Sequence, residues 1–129
     1  ISSDQLYQVG IRSGTAEEFK ELKMYDRLIS YKSGEKPTEL KKALSKEKGK
    51  PIYLTIDLDW FDPSVLPGTG TPEPGGFFWQ DFAEIISILR DYNLIGADIV
   101  ELAPKLDASG ISSILAAKVT RSILMLLNK

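Results

Sequence analysis

The 129-residue chain contains no histidine and no cysteine. Without cysteine there is no disulfide, no thiolate nucleophile, no zinc-thiolate site and no iron-sulfur cluster. Without histidine the chain offers no imidazole, although most hydrolytic metal sites built on aspartate also use one. No apolar run approaches the roughly 20 residues that a membrane helix needs, and no basic-then-apolar leader opens the sequence. A dominant charge is missing too. With 16 basic and 18 acidic residues well mixed, a net charge of -2 provides no footprint for nucleic acid or an anionic membrane. The expected partners are therefore small molecules or other copies of the chain, and the expected location is cytoplasmic. The first residue is Ile1 rather than methionine, from which we expect processing, proteolysis or a cut sequence.

What is present is an ordinary globular composition, 43% hydrophobic and 26% charged, at a length that fits one domain with a modest core. Short β-rich runs alternate with amphipathic stretches. Leu6–Ile11 reads as a strand, followed by Thr15-Ala16-Glu17-Glu18 in capping-box form, which opens a helix through about Met24. Leu28–Tyr31 reads as a small strand, and Pro37-Thr38 opens a lysine-rich surface helix with Leu40, Ala43 and Leu44 as its few apolar positions. Pro51–Ile56 is apolar or β-branched almost throughout, as expected of a central parallel strand covered on both faces. Phe82, Ile85, Ile86 and Leu89 recur at i, i+3, i+4 and i+7, a helical stripe. A strand over Ile95–Leu102 follows. The final helix, Ile111–Leu127, carries apolar residues around much of its circumference, including Ile114, Leu115, Val119, Ile123 and Leu126, and is expected to be largely buried. This alternation predicts an α/β fold, three layers of αβα with a mainly parallel sheet and right-handed crossovers.

In open sheets of that class ligands sit beyond the carboxyl ends of the strands. Arg12-Ser13, Asp57 with Asp59, and Glu101 all fall at such ends. If the backbone stays extended, Asp57 and Asp59 project to one face and can reach one divalent cation, whose charge relieves their repulsion. The bland alternative is that they cap a helix or salt-bridge at a strand end. Asp62-Pro63 reads as a turn starter. The loop Pro67-Gly68-Thr69-Gly70-Thr71-Pro72-Glu73-Pro74-Gly75-Gly76 is both stiff and tightly turned, and it lacks the Lys-Ser/Thr of a phosphate cradle. Glu101 follows Ala97-Asp98-Ile99-Val100, which reads as a buried run, so its charge calls for a partner, either a cationic substrate group such as a guanidinium or Arg12 or Arg121. Trp60 and Phe61 read as core or as a stacking wall.

Together these segments resemble the ureohydrolases, the arginase and agmatinase family, and look most like its agmatinase branch. Gln8-Val9-Gly10-Ile11-Arg12 is similar to the family's Q-[IV]-G-[IL]-R, and Thr55–Asp59 with Asp62-Pro63 is similar to S/T-x-D-x-D-x-x-D-P. The loop from Pro67 to Gly76 resembles the P-G-T-G-T-P-E-P-G-G of agmatinases, and Asp98–Pro104 with Asp107 resembles D-x-V-E-x-x-P-x-x-D. The resemblance implies a partial arginase-like fold and a dinuclear Mn2+ hydrolase that releases urea from a guanidino compound. In it Asp57 bridges two metals, Asp59 binds one, and Glu101 holds the guanidinium. The metals make hydroxide available at neutral pH for attack on the guanidinium carbon.

Arginases place acidic residues after the G-[IL]-R turn, whereas this chain has Ser13-Gly14-Thr15, which favours agmatine or another ω-guanidino compound over an amino acid. The family's remaining ligands come from G-G-D-H and D-A-H-x-D segments, and neither is present. Residues 1–129 are therefore expected to be the C-terminal portion of one ureohydrolase-like domain, belonging to a homo-oligomer, and the chain alone is expected to be inactive. An uncovered sheet edge and self-association are further expectations. The alternatives are a non-catalytic structural or regulatory fragment of the same fold and, behind it, an Asp-x-Asp metal-nucleotide transferase. The Asp-x-Asp of haloacid-type phosphatases is disfavoured because Phe61 stands where Thr or Val usually follows.

Overall fold

A computed structural model describes residues 5–24 and 28–129, and Ile1 lies outside them. The elements run β1 (Gln8–Val9), α1 (Ala16–Met24), β2 (Leu28–Ile29), α2 (Thr38–Ser45), β3 (Pro51–Asp57), α3 (Trp79–Leu89), β4 (Asn93–Val100) and α4 (Ile111–Leu127), with short 3-10 turns at Leu58–Trp60 and Pro104–Leu106. This is the expected α/β alternation, and all strand pairing is parallel. The described strands form two separate pairs, β1 with β2 and β3 with β4.

Local chemistry explains several boundaries. At the start of α1 the Thr15 hydroxyl accepts from Glu18 N at 3.2 Å while Glu18 Oε2 accepts from Thr15 N at 2.6 Å, a complete capping box. β1 is shorter than the run Leu6–Ile11 because only Gln8 and Val9 find ladder partners, at Leu28 and Ile29. β4 starts two residues earlier than the apolar run, where Asn93 pairs with Pro51, and it ends at Val100 because Glu101 turns to φ 65 and leaves the extended region.

One core unites the elements. Leu40 and Leu44 of α2, Ile56 of β3, Phe82, Ile86 and Leu89 of α3, Leu94 of β4, and Val119, Ile123 and Leu126 of α4 are buried in a single cluster. Two burial expectations fail. β3 is not covered on both faces: exposure alternates along it, with Tyr53, Thr55 and Asp57 open and Ile56 buried. On the outer face Tyr53 is 57% exposed. Nor is α4 enclosed. Ser112, Ala116, Val119, Ile123 and Leu126 form one buried stripe, while Ile114 (63%), Leu124 (53%) and Met125 (61%) face outward. A helix apolar around its circumference needs neighbours on several sides, and the described residues supply α3 and β4 on one.

Candidate metal and guanidinium site

β3 delivers Asp57 at its carboxyl end, and there the chain turns rather than continuing straight. Asp57 is extended (φ -82, ψ 123), and its Oδ1 accepts from Asp59 N at 3.1 Å, capping the 3-10 turn Leu58–Trp60. The expected same-face projection from an extended strand is thus replaced by a turn. Asp57 does cap, as the bland reading had it, and its carboxyl also lies within reach of other charges. Burial pushes the Asp57 carboxyl above its ordinary value; the bond from Asp59 N opposes this, and the charges of Asp59 and Glu101 add to the rise. Three carboxylates from two strand ends therefore sense one another, the setting in which a cation is welcome.

Glu101 is the one non-glycine residue with positive φ among the described residues. A glutamate held in the left-handed region stores strain on the order of 1–3 kcal/mol, and such residues concentrate at functional sites. Its side chain hangs over the glycine-rich loop, since a Cβ added at Gly70 would stand 3.6 Å from Glu101 Oε2. Contrary to the burial argument from sequence, Glu101 is exposed. Among the described residues it forms no ion pair, with Arg12, Arg121 or any other cation. An exposed carboxylate is open to solvent, so no internal partner is required.

Arg12 is engaged elsewhere. Its guanidinium donates to the carbonyls of Asp59 at 2.6 Å, Trp60 at 3.0 Å and Glu73 at 3.0 Å, and so ties the end of β1 to the turn after β3 and to the loop. Sequence reading placed Arg12 at the site edge and missed this clip. It also missed Thr71, whose hydroxyl donates to Asp59 Oδ2 at 3.1 Å; a threonine in a Pro/Gly loop gives no signal of its target. Trp60 stacks on Phe77 with ring centres 4.1 Å apart and planes within 5°, while Phe61 is core at 1% exposure. Gly10, at φ +79, lies against that stack, and a Cβ there would come within 2.4 Å of Trp60 Nε1.

The loop is fixed at both ends. Asp62 behaves as the expected turn residue: its Oδ1 accepts from Ser64 N and Oγ, and its Oδ2 from Gly75 N and Gly76 N at 3.0 and 3.1 Å. These bonds, those from Ser64 first, hold its carboxyl below the ordinary range. At the other end Gly68 N donates to Ser112 Oγ at 2.8 Å and Gly68 O accepts from Ala103 N at 2.8 Å. Asp107 is buried and accepts from Ser109 and from Ser112 N, which holds its carboxyl well below the usual range and seats the first turn of α4. The loop that carries Gly70 and Thr71 to the carboxylates is thus tied to β3, β4 and α4.

As a metal centre the arrangement is incomplete. Among the described residues no group of three or more His, Cys, Asp or Glu side chains is placed to hold an ion. Asp57 and Asp59 supply hard oxygen donors of the type that suits Mn2+, but two carboxylates do not fill a coordination sphere.

Comparison with known proteins places this geometry. The Arginase family profile matches residues 1–126. The chain is 42% identical over 127 residues to an agmatinase of Halalkalibacterium halodurans, covering 97% of this chain and 43% of that one. It is 37% identical over 133 residues to a guanidinobutyrase of Pseudomonas aeruginosa, covering 98% and 42%. A solved arginase from Bacillus subtilis superposes with a TM-score of 0.81 at 27% identity, covering all of this chain and 47% of that one. The chain therefore spans less than half the length of the curated relatives it matches.

Proposed function

Because the chain belongs to the arginase family, the ureohydrolases, we propose that the protein it forms part of hydrolyses a guanidino compound to urea, with agmatine, which would yield putrescine, as the substrate. Residues 1–129 are the C-terminal portion of one ureohydrolase-like domain. Asp57 and Asp59 are its contribution to a Mn2+ centre, and Glu101 is its contribution to guanidinium recognition. The observation that carries this reading is Glu101, held at φ 65 at the end of β4 with its charge acting on Asp57 at the end of β3, where a planar cation could be held in bidentate fashion. When bound, the metal would supply a Lewis acid and an activated water. This chain's residues do the rest of what can be described: Asp57 and Asp59 present oxygen donors, Glu101 orients the cation, and the clamped loop holds Thr71 on Asp59.

The substrate follows from Ser13-Gly14-Thr15. Residues 13–15 themselves carry no carboxylate for an α-amino group, the one beside them, Glu73 Oε2 at 3.5 Å from Ser13 Oγ, coming from the loop. Agmatine is therefore favoured over arginine, and guanidinobutyrate is the closest competitor. The whole protein is a cytoplasmic homo-oligomer in this reading. No helix among the described residues is long and apolar enough to cross a membrane.

Urea release by the complete protein, supplied with Mn2+ and with agmatine, guanidinobutyrate or arginine in turn, tests the proposal. The expected order is agmatine first and arginine last, and Glu101→Gln should remove most of the activity while Mn2+ content stays unchanged. Arginine as the best substrate, or a fully active Glu101→Gln enzyme, would overturn it.

A further inference from the structure

The slot between the edges of β1 and β3 is a cavity of about 760 Å³, and at the carboxyl ends of the two strands its lining includes Arg12, Ser13, Asp57, Asp59, Thr71 and Glu73. Three separate stretches of chain meet there, and Arg12 joins all of them. It stands just beyond β1, and its guanidinium reaches both the turn after β3 and the glycine-rich loop. Nη1 donates to Trp60 O, whereas the single nitrogen Nη2 donates to both Asp59 O and Glu73 O. Among the described residues no carboxylate forms an ion pair with this cation. Arg12 therefore acts on main chain, and its planar fork fixes the direction of each carbonyl as well as its distance.

Asp59 is held from every side by this arrangement. Its N–H donates to Asp57 Oδ1 at 3.1 Å, its carbonyl accepts from Arg12 at 2.6 Å, and its Oδ2 accepts from the Thr71 hydroxyl at 3.1 Å. Thr71 is joined to Glu73 through Pro72, whose own ring fixes φ, and Glu73 O returns to Arg12 Nη2 at 3.0 Å. These contacts close a ring that runs from the Asp59 carboxylate through Thr71, Pro72, Glu73 and Arg12 back to the Asp59 carbonyl. A carboxylate tied both at its tip and at its own main chain cannot rotate without breaking a bond of the ring. We infer that Arg12 is the positioning residue for Asp59, setting the direction in which that carboxylate points while itself bonding only main chain. Outer supports of this kind orient a ligand and are felt in metal affinity. The inference rests on the proposed role of Asp59 as a metal ligand; the ring itself does not.

The test uses the complete protein with Mn2+ alone and no substrate, and it reads the Mn2+ dissociation constant together with amide hydrogen exchange. Arg12→Met, which keeps the stem and removes the donors, and Thr71→Val, which opens the ring on its other side, should each weaken Mn2+ binding by about tenfold or more. Because both break one ring, the double variant should bind within about twofold of the weaker single one. Exchange at the Asp59 amide should quicken in Arg12→Met, while the Gly68 amide, held by Ser112 at the far end of the loop, keeps its rate. Arg12→Lys, which keeps stem and charge but offers one nitrogen in place of two, provides the same comparison if Arg12→Met does not fold. Unchanged Mn2+ binding in Arg12→Met, losses that multiply in the double variant, or faster exchange at Gly68 as well as at Asp59 would each overturn the inference and leave the functional proposal standing. A wild-type protein that binds no Mn2+ would remove both.

Discussion

Glu101 is where local energetics and chemistry part company. A side chain at φ 65 costs stability that a glycine would not, because glycine has no Cβ to clash in the left-handed region. Glu101→Gly should therefore raise the unfolding free energy of the chain by about 1 kcal/mol, seen as a higher urea midpoint with an unchanged slope. A lower midpoint would mean that the glutamate is held by contacts rather than by strain. Asp57 makes the second prediction at this scale. Burial, followed by the charges of Asp59 and Glu101, raises its folded pKa above the unfolded 3.8, so the folded state binds the extra proton and ionisation destabilises the fold. The penalty is absent below pH 3.8 and complete above the raised folded value. Thermal melts of Asp57→Asn should show stabilisation at pH 7 that vanishes near pH 3; equal shifts at both pH values would contradict the coupling. The aspartates and the loop were legible because Asp-x-Asp and its prolines and glycines state themselves in sequence. The backbone of Glu101 was not: Val-Glu-Leu reads as extended, and its φ is imposed by the geometry in which β4 meets the loop.

Among the elements, α3 shows how a buried carboxylate positions a helix. Asp81, 4% exposed, accepts from Phe78 N at 2.8 Å at the helix start, from Gly34 N at 2.8 Å and from Ser33 Oγ at 2.7 Å. Burial alone would raise its pKa, but these bonds outweigh it and the carboxyl lies below 3.8. The stability it confers is thus present above the unfolded pKa and lost as pH falls through the folded one. Asp81→Ala should cost about 2–3 kcal/mol at pH 7, since it strands buried donors, and the loss should shrink in acid; chemical denaturation at pH 7 and pH 2.5 checks both. A cost independent of pH would assign Asp81 to packing. Its acceptor neighbourhood also raises Tyr31, through burial first and the Asp81 charge next, to about 12. The helices themselves were readable from periodicity and from the Thr15–Glu18 box. The burial of α4 and β3 was not, because a wholly apolar circumference or strand records the neighbours a sequence is suited to, and those surfaces, Ile114, Leu124 and Tyr53 among them, are open in this chain.

At the scale of the whole molecule the open surfaces and the incomplete coordination have one explanation. The chain carries two carboxylates proposed as metal ligands, a glutamate proposed to hold a guanidinium, and a gap between two sheet edges, and it spans less than half of the relatives it matches. Each of these is half of something. The exposed Tyr53 face, the outer face of α4 and the slot between β1 and β3 are the places where further polypeptide would complete a sheet and its layers. In the proposed ureohydrolase, catalysis requires polypeptide beyond these 129 residues. The most direct measurement is urea released from agmatine with Mn2+, by the purified chain alone and by the chain combined with the unmatched portion of the Halalkalibacterium halodurans agmatinase. No urea is expected from the chain alone, and release is expected from the combination. Urea from the chain alone, or none from a combination whose two parts have been shown to associate, would overturn this.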